Sequence, residues 1–289
     1  MPSVVTIQEL EQAAPIFRGK AGHALARGLL KMLAVDKVCA TTERFNYSEG
    51  ADFACNILRE FGGDYQIGNS FRLGGLPDGP FITVSNHAYG HIDGILLADV
   101  FGHLRPDYKI MVNKILTRIY PLRPSFITVS PQGNVKRSPT SESLAGIKSV
   151  LAHVGEGHPI GFFPSGAVSD LSLKERCIRD RDWQDDVIKI IRKVKVPIVP
   201  VRFFDHNSMY FYLLGLLDWR IRVTRLPAEM YNKKGKLVRL AVGETISVEQ
   251  QQQCGSVGEL KDLLRRSVYE MPLPGDFVSK YDFFGNNDR

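Results

Sequence analysis

No two cysteines in this chain stand in a CxxC arrangement; the four present, Cys39, Cys55, Cys177 and Cys254, are scattered along 289 residues. That spacing argues against a disulfide framework or a thiolate zinc site. Free buried thiols in a reducing compartment are expected instead, because cysteine packs as a small hydrophobe. No apolar run reaches the ~20 residues that a membrane span needs, and the best, Met209 to Leu217, is about half that length. Met1 to Gln12 carries acidic and polar residues and no apolar stretch, so a secretory signal is not expected. Internal repeats, low-complexity tracts and an obvious linker are missing. A basic stripe, a groove-reading helix and a zinc-finger pattern are missing as well, which argues against a nucleic-acid binder.

What is present suits a folded, enzyme-sized body. Hydrophobic residues make up 44% of the chain, enough for one large domain or two small ones. Lys and Arg number 37 against 31 Asp and Glu, a net charge of +6, and the sequence pI is 9.1. A basic balance suits an anionic membrane face, a phosphate-bearing substrate or an acidic carrier protein. A plain contribution to solubility is the other reading.

Residues 1–63 read as helical. Ala24, Leu25, Leu29, Leu30, Met32 and Leu33 form an apolar face, and Arg18, Lys20, Arg27, Lys31 and Lys37 a basic one. Such a helix packs on a core or lies on anionic lipid. A second helix is expected from Ser48, burying Phe53, Ala54, Ile57, Leu58 and Phe61. From residue 64 strands alternate with helices. Short edge strands are expected at 65–67 and 71–73, and further strands at 81–85, 108–112, 126–129, 159–163, 197–203 and 237–242. Helices are expected at 91–102, 114–119, 141–154, 182–194 and 256–270. Leu144, Ile147, Leu151 and Val154 recur at helical spacing in the third of these, and Leu260, Leu263, Leu264 and Val268 in the last. This order implies an α/β fold, a mostly parallel mixed sheet flanked by helices. Residues 1–63 form an N-terminal helical appendage packed on an α/β unit of residues 64–289. The aromatic run at 209–219 is expected in the core, with a ledge for an acyl chain or a bilayer as the alternative.

Two strand ends carry chemistry-bearing residues. Strand 81–85 runs into Asn86-His87-Ala88-Tyr89-Gly90-His91-Ile92-Asp93-Gly94. A histidine accepts a proton near neutral pH, and a carboxylate that fixes its tautomer improves it as a base. His87 and Asp93 meet if the turn between them curls back, which Gly90 permits. No serine or cysteine nucleophile adjoins them, so the pair suits direct activation of a substrate hydroxyl or amine; a purely structural hydrogen-bonded junction is the alternative. His87 and His91, four residues apart, also suggest a metal site, but no Glu follows His87 and the HExxH signature is absent. The second strand end is Phe163-Pro164-Ser165-Gly166-Ala167-Val168-Ser169. Backbone N–H groups around Ser165 and Gly166 are candidates to cradle an oxyanion or a head group, and Ser165 could equally bond its own loop. Lys136 and Arg137 are candidates for donor phosphate or a solvated basic turn. His206 is expected to bond locally, and the direction of Arg202 is open.

These residues resemble the glycerolipid acyltransferase superfamily. Asn86-His87 through Asp93 is similar to its first block, with five residues between His and Asp where four are usual. Residues 163–169 are similar to its Phe-Pro-Glu-Gly-Thr-Arg-Ser block, with Ser165 for the Glu and Val168 for the Arg. The spacing, Gly94, the small residue at 165 and the run Phe203-Phe204-Asp205-His206-Asn207-Ser208 resemble the hemolysin-like branch, which acylates lyso-forms of amino-acid lipids. Residues 126–137 resemble a second block ending in arginine, and Val196 to Val201 a proline-flanked fourth; the resemblance spans about residues 80–250.

It implies an O-acyltransferase moving a fatty acyl group from acyl carrier protein or coenzyme A to a lyso-lipid hydroxyl. His87 and Asp93 would be the catalytic pair, and Lys136, Arg137, Pro164, Ser165 and Gly166 the substrate-binding residues. No metal or resident cofactor is implied, the acyl-CoA or acyl-carrier thioester being a co-substrate. A cytoplasmic protein touching the inner, anionic face of a membrane is the expected setting. A lipid-surface binding protein that has lost turnover and a metal- or serine-dependent hydrolase are the competing readings.

Overall fold

The computed structural model describes residues 18–285 apart from 33, 63 and 130–140, together with 8 and 11. Three helices come first: α1 (Gly19–Met32), α2 (Val35–Arg44) and α3 (Gly50–Glu60). Strands and helices then follow as β1 (Gln66–Gly68), β2 (Ile82–Ser85), α4 (His91–Leu104), β3 (Lys109–Asn113), β4 (Phe126–Val129), α5 (Ser141–Gly155) and β5 (Ile160–Phe162). A hairpin of β6 (Asp170–Ser172) and β7 (Cys177–Arg179) leads to α6 (Asp185–Val194) and β8 (Ile198–Phe203). Three short helices, α7 (Met209–Leu217), α8 (Trp219–Thr224) and α9 (Leu226–Tyr231), precede β9 (Arg239–Val242). The chain closes with α10 (Val248–Gln252), α11 (Val257–Tyr269), β10 (Phe277–Ser279) and α12 (Lys280–Phe284).

Eight strands form one sheet in the order β10-β1-β9-β8-β2-β5-β3-β4, and β6 pairs only with β7. Contacts from β8 through β2, β5 and β3 to β4 are all parallel, as is β1 with β9. β9 runs antiparallel to β8, and β10 to β1. The α/β fold with a mostly parallel mixed sheet is therefore what the alternation implied. β2 lies between β8 and β5 and is buried along its whole length, which is why it reads as a continuous apolar and β-branched run.

Period-two alternation sends its side chains to opposite faces. Ile82 and Val84 join Ile160, Phe162, Trp183, Ile188, Leu260 and Leu264 on one side of the sheet. Phe81 meets Phe101, Tyr108 and the α3 residues Phe53, Ile57 and Leu58 on the other. The α3 stripe is the one expected, and it belongs to the same apolar cluster as α4.

Several expectations change. Residues 71–73 form a 3₁₀ turn (Ser70–Gly75), because Asn69 sits in the left-handed region at φ 53° and breaks the extended chain. Strand β1 is not an edge strand, since the C-terminal β10 covers it. On α1, Ala24 is exposed and Leu25 is 50% exposed, while Ala26 is buried; the side chains of Leu29, Leu30, Met32 and Leu33 lie outside the described residues. On α5, Leu144 is exposed, and Val150 and Val154 carry the buried stripe. Gly146 lets the helix approach β4, since a Cβ there would press on Thr128 O and Val129. All four cysteines are free, but only Cys55 is buried. The 209–219 run splits: Phe211 and Tyr212 are core, while Met209, Tyr210, Leu213 and Leu217 face outward. No described helix is long and apolar enough to cross a membrane.

Candidate active site

Because β2 and β5 are parallel neighbours, with Val84 opposite Phe162, their carboxyl ends lie side by side. Ligand sites of parallel sheets collect at that end of the strands. The two corners about 70 residues apart in sequence thus become one place.

The first corner is fixed from three sides. Asn86 accepts Phe203 N–H at 2.8 Å and donates its amide to Phe203 O at 3.0 Å, tying the turn to the end of β8. Gly90, at φ 90°, reverses the chain into α4, and a Cβ there would meet Leu226 and Val168. Asp93 lies in the first turn of α4 and is fully buried. Its Oδ2 accepts Tyr89 N–H at 2.9 Å and Gly90 N–H at 3.0 Å, and it lies 2.9 Å from His87 Nδ1. The turn does curl back. An ionised carboxylate only accepts, so this contact assigns the His87 proton to Nδ1 and leaves the lone pair on Nε2.

Burial pushes the Asp93 carboxyl above its ordinary pKa, against the lowering pull of His87 and of the two N–H groups. The geometry makes its Oδ2 an acceptor, since both N–H groups point at it in the first turn of α4. The His87 side chain is 19% exposed and stacks on Phe163 with ring centroids 4.3 Å apart. His91 is half-buried; shielding from water, with the neighbouring His87 as a second cause, pushes its pKa down to about 4. It is therefore neutral at physiological pH. Among the described residues, no group of three or more His, Cys, Asp or Glu side chains is placed to hold a metal ion.

The second corner holds the backbone of the first. Ser169 donates its N–H to His87 O at 2.8 Å and its hydroxyl, 3.2 Å from the same oxygen, lies 2.6 Å from Asp180 Oδ1. Asp180 Oδ1 also accepts His87 N–H at 3.0 Å, and its Oδ2 accepts Trp183 Nε1–H at 3.0 Å. The N–H of His87 is thus held by buried Asp180 and its carbonyl by the Ser169 N–H, while the Ser169 hydroxyl ties the two holders together. Sequence reasoning missed Asp180. It stands in a run of charges, Arg179-Asp180-Arg181-Asp182, where only burial distinguishes it from Asp182.

Pro164, Ser165 and Gly166 lie beside this bracket, with the Ser165 hydroxyl and the Gly166 N–H engaged within the loop. Ser165 Oγ donates to Ala167 O at 2.8 Å, and Gly166 N–H to Phe163 O at 3.0 Å. Gly166 is in the left-handed region at φ 63°, where a Cβ would collide with the Gln184 amide. Gln184 fixes the loop from behind by donating its N–H to Pro164 O at 2.9 Å and its side-chain amide to Ser165 O at 3.1 Å. Lys136 and Arg137 lie outside the described residues.

The short helices α7 and α8 brace both corners. Tyr212 lies with its hydroxyl 3.3 Å from Ala88 O, and buried Arg222 donates to Ser169 O at 3.0 Å while pairing with Asp170. Asn207 donates to Tyr89 O at 3.1 Å. The His206 ring bonds locally, its Nδ1 lying 2.7 Å from Asn207 O, and His206 O accepts Lys233 Nζ. Arg202 does not enter the site: it donates to Tyr269 O and Met271 O at the end of α11. A cavity of about 600 Å³ lies elsewhere, against β4 and α5, and none of its lining residues belongs to either corner.

An imidazole hydrogen-bonded through Nδ1, with its lone pair on Nε2, at the carboxyl end of a buried sheet can take a proton from a hydroxyl. A family model described as acyltransferase matches residues 9–273. The chain is similar to a lyso-glycine lipid O-acyltransferase of Phocaeicola vulgatus, with 26% identity over 69% of this chain and 71% of that protein. It is also similar to a lyso-glycine lipid O-acyltransferase of Bacteroides thetaiotaomicron, with 25% identity over 67% of this chain and 71% of that one.

Proposed function

The chain belongs to this acyltransferase family, and from that premise we propose that it transfers a fatty acyl group from a thioester to the hydroxyl of a lyso-lipid of the amino-acid-lipid class. The observation that supports the reading most directly is the 2.9 Å contact between His87 Nδ1 and the fully buried Asp93.

In the proposed reaction the acceptor hydroxyl lies against His87 Nε2. As its oxygen attacks the thioester carbonyl carbon, its proton passes to Nε2. Asp93 steadies the imidazolium and the negative charge collects on the carbonyl oxygen. Collapse of the tetrahedral intermediate breaks the C–S bond, and the departing thiolate takes the proton from Nε2. Ester and free thiol result, with His87 restored. Positioned general-base catalysis of this kind is typically worth ~10²–10⁴ in rate.

Pro164, Ser165 and Gly166 shape the substrate-binding wall, with Ser165 Oγ and Gly166 N–H engaged in holding the loop. Lys136 and Arg137 meet the phosphate of the donor, as charge-assisted contacts to phosphate require. The donor is acyl carrier protein or coenzyme A, and the setting is a cytoplasmic protein at the anionic face of a membrane.

The test is acyl transfer by the purified protein from labelled acyl carrier protein or acyl-CoA. Lyso-aminolipid and lysophosphatidic acid serve as acceptors, with His87→Ala alongside. Transfer to the aminolipid that disappears in His87→Ala is expected. Activity unchanged in that variant would overturn the mechanism, and preference for lysophosphatidic acid would overturn the acceptor class.

A further inference from the structure

The two helices that brace the catalytic turns also carry a large outward apolar face. Tyr210, Leu213, Leu216 and Leu217 are exposed on α7, Leu217 by 80%. Their spacing puts them on one side of the helix, opposite the core residues Phe211 and Tyr212. On α8, Ile221 and Val223 are exposed on either side of buried Arg222. Single exposed apolar side chains are ordinary, but a cluster on two packed helices marks an interaction surface.

We propose that this outer face is where the protein docks on a lipid bilayer bearing anionic headgroups. The inference rests on the acyl-transfer reading above and names the surface through which it reaches its lipid. Charge favours this occupant. Residues 209–226 contain one acid, Asp218, against Arg220, Arg222 and Arg225, and Arg222 is already matched by Asp170. The Arg225 guanidinium lies 5.2 Å from the centre of the Tyr210 ring, joining a cation to an amphipathic aromatic of the kind favoured at a membrane–water boundary. Apolar helix faces with basic flanks lie in that boundary and respond to anionic lipid. Docking of a second copy on the same face would bring two basic rims together.

Position favours it as well. The inner side of the same helices contacts Ala88 and Ser169, which flank and hold His87. Docking would set the catalytic turn about one helix diameter, ~10 Å, behind the docked apolar face. Because such an apolar face sinks ~5–10 Å into the headgroup–acyl boundary, that distance brings the turn down to the headgroup level, where the hydroxyl of a lyso-lipid lies.

The experiment compares wild type with Leu216→Asn/Leu217→Asn/Ile221→Asn in co-sedimentation with phosphatidylcholine vesicles, with and without phosphatidylglycerol. Transfer is measured with both vesicle-borne and short-chain soluble lyso-aminolipid. Loss of three apolar contacts should weaken partitioning on the order of ten- to a hundredfold. Transfer to the vesicle-borne acceptor should fall with it, while transfer to the soluble acceptor stays at the wild-type rate. Arg225→Gln should weaken binding only where phosphatidylglycerol is present. Vesicle binding unchanged in the triple variant overturns the proposal. So does a wild-type dimer that the triple variant converts to monomer, since the face would then be a self-association surface. Vesicle binding through this face by a protein that transfers no acyl group would leave the docking surface standing and overturn the catalytic reading alone.

Discussion

Replacing Asp93 separates its electrostatic role from its structural one. In Asp93→Asn the amide oxygen can still accept Tyr89 and Gly90 N–H, which now lie 2.9 and 3.0 Å from Oδ2. The turn keeps its shape while the negative charge beside His87 Nδ1 is lost. An uncharged partner cannot steady the imidazolium, so kcat should fall by ~10²–10⁴, with little change in melting temperature. Asp93→Ala removes the acceptor altogether. It leaves two buried backbone donors unpaired, at ~1–3 kcal/mol each. Added together, that is a loss of about 2–6 kcal/mol, and at ~2–4 °C per kcal/mol the melting temperature should drop by ten degrees or so. The assay pairs initial rates of acyl transfer with thermal unfolding of the same preparations. Wild-type kcat in Asp93→Asn would refute the reasoning, because His87 would then be working without its carboxylate.

Other perturbations probe the surroundings. Ser169→Ala removes the hydroxyl shared between His87 O and Asp180; a several-fold fall in kcat with KM unchanged is expected, and steady-state kinetics on both acceptor forms would check it. Lys280→Met takes from buried Asp99 the cation 2.7 Å away at Lys280 Nζ and leaves it only the partly exposed His103. Removing one partner of a buried pair typically costs ~3–5 kcal/mol, measurable by urea unfolding, and Asp99→Asn in the same chain should restore part of the loss. His103 is raised to about 9, chiefly by its hydrogen bond to Asp99. Folding favours its charged form, so its contribution is complete below the ordinary histidine value near ~6.5. It is lost as pH rises through about 9. Unfolding midpoints measured from pH 6 to 10 should decline over that window, and less so in His103→Gln.

The sequence alone determined most of the architecture and half of the site. The continuous apolar and β-branched run at 82–85 and helical stripes such as Phe53, Ile57 and Leu58 follow from local chemistry, because a central strand must bury both faces and a packed helix one. They can therefore be read without knowing what covers them. His87 and Asp93 were legible because they are near in sequence and Gly90 supplies the reversal. Tertiary structure decided the rest. Asp180 reaches His87 only because β2 and β5 are adjacent, and nothing local separates a buried acid from its solvated neighbour Asp182. The same holds for the Ser165 hydroxyl and the Gly166 N–H, which turned inward, and for α7, where a uniformly apolar run hid which side faces the core. Periodicity shows that a face will be buried; only the packed neighbours determine which face, and against what.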